Sequence, residues 1–97
     1  MIYHVVNIPN WQKAVELGYY EAPSLITEGF IHACKKEQVQ GVIERYYANQ
    51  TNLLILHIDE EKLQVAPIFE IASSVNEAFP HIYGRINLDA VADITNL

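Results

Sequence analysis

The chemistry this chain could perform is concentrated in four histidines and one glutamate. Each histidine has apolar neighbours: His4 in Ile-Tyr-His-Val-Val, His32 in Phe-Ile-His-Ala-Cys, His57 in Ile-Leu-His-Ile and His81 in Pro-His-Ile-Tyr-Gly. An imidazole in such a setting costs ~1–3 kcal/mol if no partner meets it. One such residue reads as a satisfied core or edge histidine; several together point to a binding or acid–base site. Glu70, in Pro67-Ile68-Phe69-Glu70-Ile71, is the most informative acid, because most other carboxylates fall in helices or turns open to water. It fits a catalytic carboxylate, and equally an edge-strand acid in solvent or paired with Arg45 or Arg85.

The elements that must position these residues follow from pattern. Ile2 to Val6 reads as a strand stopped by Pro9, and Asn10 to Gly18 as a capped helix over Trp11–Leu17. Tyr19 to Gly29 reads as a loop leading to a strand over Phe30–Ala33. A second helix is expected over Lys36–Ala48, where Val39, Val42, Ile43, Tyr46 and Tyr47 form a stripe. Asn52–Ile58 is a near-continuous apolar run and should be a central strand. Strands over Ile68–Ile71 and His81–Ile86 follow, with Pro80 fixing entry to the second. Period-two alternation then places His81, Tyr83 and Arg85 on one face, and His32 on a face with Phe30 and Cys34. Leu88–Ile94 fits either a turn with a short strand or a helical segment. The order predicts a single α+β domain over residues 1–97, with two helices in its N-terminal half.

Composition bounds the function. The chain is 51% hydrophobic and 19% charged, a balance that predicts a packed globular core. Six Lys and Arg against twelve Asp and Glu give a net charge of −6, which repels a phosphate backbone or anionic lipid, so no nucleic-acid partner is expected. No apolar run approaches the ~20 residues that span a bilayer, and no secretory pattern opens the chain. With the lone Cys34 these features predict a cytoplasmic protein without a membrane partner.

Ile2-Tyr3-His4, Gly18-Tyr19-Tyr20 with Ala22-Pro23-Ser24-Leu25, Glu28-Gly29-Phe30-Ile31-His32, Glu37-Gln38-Val39, Phe69-Glu70 and Phe79-Pro80-His81-Ile82-Tyr83-Gly84 together resemble the DUF952 family almost end to end. The resemblance implies kinship in fold with ADP-ribosyltransferases, whose split, curved sheets hold NAD in a cleft. In the His-Tyr-Glu branch of that superfamily a first-strand histidine binds a ribose hydroxyl, a tyrosine packs on nicotinamide and a later glutamate holds the reacting ribose. By chain order His4 resembles the first and Glu70 the third, while His32 stands where the branch has tyrosine. Cys34 and Phe69 depart mildly from the family's common serine and tryptophan.

Under this reading Glu70 and His32 are the candidate catalytic residues. His4, Tyr20, Ser24, His81 and Tyr83 are the candidate binding residues for NAD or a nucleotide-like ligand, and the reaction is transfer or hydrolysis at a glycosidic bond. A non-catalytic module binding a small molecule or a protein is the alternative. A zinc domain is the third reading, built on His32-x-Cys34 with His4, His81 or Glu70. Because structural zinc favours two tight ligand pairs and this chain offers one, no metal residues are assigned.

Overall fold

A computed structural model describes residues 1–97. Strand β1 (Ile2–Asn7) runs directly into helix α1 (Ile8–Leu17). The expected cap at Asn10 is corrected to Asn7, whose side chain accepts from the Asn10 N–H at 2.8 Å. Pro9 starts the helix instead of merely ending the strand, because its missing N–H is no loss in a first turn. Gly18 closes α1 at φ 88°, a left-handed cap that a β-carbon would strain.

The segment expected as loop contains two short elements. Tyr19–Tyr20 is strand β2, and Pro23–Thr27 is helix α2. Strand β3 is only Ile31–His32. A 3-10 turn over Lys36–Gln38 leads into helix α3 (Val39–Tyr46), shorter at both ends than its apolar stripe predicts. Gln38 is the reason at the start: its side chain accepts from the Lys35 N–H and donates to the Ala78 carbonyl, pinning the turn.

Strand β4 (Leu53–Ile58) lies between β1 and the last strand, β8 (Val91–Asn96), both antiparallel to it, which bears out its central place. Leu56 and Ile58 have no solvent exposure, and each such side chain contributes ~1.5–3 kcal/mol of burial. The tail thus forms a 3-10 turn over Leu88–Ala90 and then a strand, not a helix.

Strands β5 (Ile68–Ala72) and β6 (Glu77–Ile82) form an antiparallel hairpin, and β6 also pairs β3, giving the order β3-β6-β5. The expected strand over His81–Ile86 is corrected: β6 ends at Ile82, the chain bends at Tyr83–Gly84, and Ile86–Asn87 forms β7 beside β2. Arg85 therefore leaves the face it would share with Tyr83; it lies over the Tyr19 ring at 3.8 Å and reaches Glu21.

Pro80 sits inside β6, not at its entry. It accepts from the Ala33 N–H at 3.0 Å but has no N–H to return, so the β3 ladder ends there. The chain then crosses to the other sheet, where Cys34 and Tyr3 exchange two backbone hydrogen bonds of 2.8 Å. Three antiparallel sheets with few helices make a mixed α/β domain, and its core packs Ile2, Val6, Ile31, Leu56, Ile82 and Ile86 with Ala14 of α1. No helix is long and apolar enough to cross a membrane.

Candidate functional site

A cleft of about 630 Å3 lies where the two larger sheets diverge. Its walls come from β1 (Tyr3, His4, Val5, Val6), the segment around β2 and α2 (Tyr20, Ala22, Pro23, Ser24, Glu28) and one side of α3 with Tyr46 and Tyr47. His32, Ala72, Phe79 and His81 add to them, as do Asn7, Asn10, Ala33 and Cys34. The size is that of a small-molecule site, and the surface is mainly aromatic and aliphatic with a few convergent polar groups.

His4 alternates with Ile2 and Val6 on the core side of β1 and is only 6% exposed. Its Nδ1–H donates to the His32 carbonyl, and the Tyr20 hydroxyl donates to its Nε2 at 2.8 Å. Burial lowers its pKa to about 4, chiefly because the charged ring would lose its hydration. His4 is thus a neutral, fully partnered imidazole. Burial also raises the Tyr20 pKa, so the phenol stays protonated, and its oxygen keeps lone-pair capacity on the cleft side.

Sheet register gathers the second group. Glu70 pairs with Phe79, Ile68 with His81 and His32 with His81, so Glu70, Phe79, His81 and His32 project from one face. The His81 Nδ1–H donates to Glu70 Oε1 at 2.8 Å, and the Tyr83 hydroxyl donates to the same oxygen. The hydrogen bond from Tyr83, then that from His81, hold the Glu70 carboxyl below the usual carboxylate range; the same bond raises the Tyr83 phenol. With Nδ1–H committed to Glu70, Nε2 is the remaining polar atom of the His81 ring.

Phe30 stacks on the His81 ring at 4.1 Å and 21° and flanks Tyr83 at 5.2 Å. Ser24 Oγ–H fixes that aromatic by donating to the Phe30 carbonyl at 2.8 Å. The His32 ring meets His81 edge-on at 5.4 Å, and its Nε2–H donates to Glu28 at 3.0 Å.

The structure therefore brings His4, Tyr20, Ser24, His32 and His81 into the cleft wall. Glu70 and Tyr83 do not line it; Glu70 is bonded to the wall residue His81, and Tyr83 to Glu70. His57 belongs elsewhere: it faces Thr95 at 2.7 Å on the far side of β4. The ion pairs considered for Glu70 are not formed, since Arg45 lies against Tyr46 and Arg85 reaches Glu21. Cys34 is 2% exposed, burial pushes its thiol up to about 11, and no three His, Cys, Asp or Glu side chains converge on one point.

Sequence reasoning missed Glu28, Phe30, Tyr46 and Tyr47 as site residues. The Glu28 to His32 spacing of four was a usable signal; the stacking of Phe30 was not, because it depends on β6, a strand far along the chain.

Residues 5–94 match the family described as "Protein of unknown function (DUF952)", and the chain belongs to that family. No curated protein matches it. Among solved structures it is similar to two crystal structures of protein CC0527 from Caulobacter crescentus. One superposes with TM-score 0.90 at 27% identity, and a double mutant of that protein with 0.89 at 26%. Each comparison covers 99% of this chain and 84% of the other. The solution structure of the same protein gives 0.78 at 26% identity, over 99% and 83%.

Proposed function

We propose that this DUF952 domain binds a nucleotide- or nucleoside-like N-glycoside of the NAD type in the cleft and promotes transfer or hydrolysis at its glycosidic bond, in the manner of an ADP-ribosyltransferase-like fold. The observation that carries the reading is the Glu70 carboxylate, kept ionised by Tyr83 and His81 on the sheet face that also bears His32.

Cleavage of an N-glycosidic bond builds positive charge on the sugar ring, and a fixed carboxylate beside it lowers the barrier most when it needs no reorganisation. Two donors on Oε1 hold Glu70 in one orientation and leave Oε2 free for a sugar hydroxyl or the developing charge. Rings from Tyr3, Tyr46, Tyr47 and Phe79 give flat surfaces for a heterocycle. His32 orients the sugar, Tyr20 offers an acceptor oxygen, and water or an acceptor nucleophile completes the displacement.

The test is release of free base from NAD and from simpler N-ribosyl compounds, followed by chromatography, with Glu70→Gln alongside. The expected outcome is turnover that falls by about 100-fold or more in the variant with binding largely kept. Equal rates in both proteins, or no release above buffer, would overturn the catalytic reading and leave a binding module.

A further inference from the structure

Resting on that reading, we propose that the ligand is a phosphate-free, cationic heteroaromatic N-glycoside, and that the cleft discriminates against the phosphorylated forms of the same compound. The lining is aromatic, yet none of the six Lys and Arg side chains takes part in it. Its one carboxylate is Glu28, with Glu70 bonded to the wall residue His81, so a positively charged ring against the tyrosine side chains meets favourable potential and a diphosphate meets repulsion.

The backbone agrees. Helix α1 brings its start to the cleft through Asn7 and Asn10, and a helix start is the usual substitute for basic side chains at a phosphate. Here its donors are spent. The Ile8 N–H donates to the Asn52 carbonyl at 2.8 Å, residue 9 is proline, and the Asn10 N–H donates to Asn7 Oδ1. These walls offer rings and a carboxylate to the ribosyl-heterocycle half of NAD, and no basic side chain to its pyrophosphate. Departure of a neutral base from such a cation also needs no proton donor: the C–N bond breaks, the electron pair leaves with nitrogen, and the positive charge passes to the sugar ring, where water adds to the anomeric carbon and gives up a proton to solvent.

The experiment is titration calorimetry or ligand-observed NMR on the whole chain with nicotinamide riboside, nicotinamide mononucleotide, NAD, 1-methylnicotinamide cation and neutral nicotinamide. Expected are tighter binding of the riboside than of the mononucleotide or NAD, by about fivefold or more, and of the methylated cation than of nicotinamide. Glu28→Gln, checked for native circular dichroism, should narrow both preferences. Mononucleotide or NAD binding as tightly as the riboside would overturn the ligand class, whatever the turnover. Preferential riboside binding without base release would instead overturn the glycosidic reaction and leave the ligand class standing. Failure of every probe to bind at millimolar concentration would end both.

Discussion

His81 and Glu70 meet diagonally across the β5–β6 hairpin. Glu70 is registered opposite Phe79, two residues from His81, and the rings and carboxylate close the diagonal at 2.8 Å. Such i, j+2 neighbours are within reach only when the register is correct. A slip of one residue would send Glu70 to the face that carries Phe69 and Ile71. The catalytic candidate is thus fixed by strand pairing.

Because Tyr83 contributes most to keeping the Glu70 carboxyl acidic, Tyr83→Phe should move its titration upward, toward the ordinary glutamate range. Carbon-13 NMR of the carboxyl group measures this directly. A midpoint that does not move would mean that the phenol is not engaged in solution.

Acid stability should carry the signature of His4. Its folded pKa, about 4, lies below the ordinary 6.5, so the unfolded chain takes up the proton first as pH falls. The contribution is whole above pH 6.5 and is lost progressively down to about 4, on the order of 3 kcal/mol in all. Denaturant unfolding at a series of pH values should show that decline in the parent chain. In His4→Leu, whose baseline is lower, the slope between pH 6.5 and 4.5 should be shallower.

Tyr20→Phe removes the hydroxyl that satisfies His4 Nε2 and leaves a buried acceptor bare. A loss of about 1–3 kcal/mol at neutral pH is expected. It should shrink when His4 is already leucine, and a double-mutant cycle showing no coupling would contradict the hydrogen bond.

At Gly84 an added β-carbon would lie 2.7 Å from Val65 Cγ2. Gly84→Ala should therefore cost about 1–3 kcal/mol and disturb the neighbouring Tyr83. Val65→Ala in the same chain should return part of that stability, as read from melting curves.

The sequence pattern made the central strand legible because Leu53 to Ile58 is apolar at nearly every position, which only a covered strand tolerates. It also made the polar face of β6 legible at His81, since alternation survives wherever the strand does. What it could not reveal was length. Tyr19–Tyr20 is strand only because Ile86 and Asn87 lie beside it, a pairing 66 residues away in the chain. The reach of α3 was overestimated because Gln38, which reads as a surface residue, is 5% exposed and bonded to another element. His4 was legible as a histidine needing partners, but its partners, a backbone carbonyl and Tyr20, come from separate elements. Alternation predicts Tyr83 on a strand beside His81, whereas it meets Glu70 from a bend just beyond the end of β6.

One imino acid shapes the whole arrangement. Because Pro80 withholds a donor, the Ala33 carbonyl loses its partner in one sheet while its N–H still reaches the Pro80 carbonyl, and Cys34 is captured by the other sheet, so a stretch of three residues, 32–34, serves both walls. The same stretch carries the His32 ring on one side and offers the carbonyl that grips His4 on the other. A ligand that moves the His32 backbone therefore also moves the carbonyl held by His4, and its occupancy is expected to be detectable deep inside the protein through the proton resonances of His4.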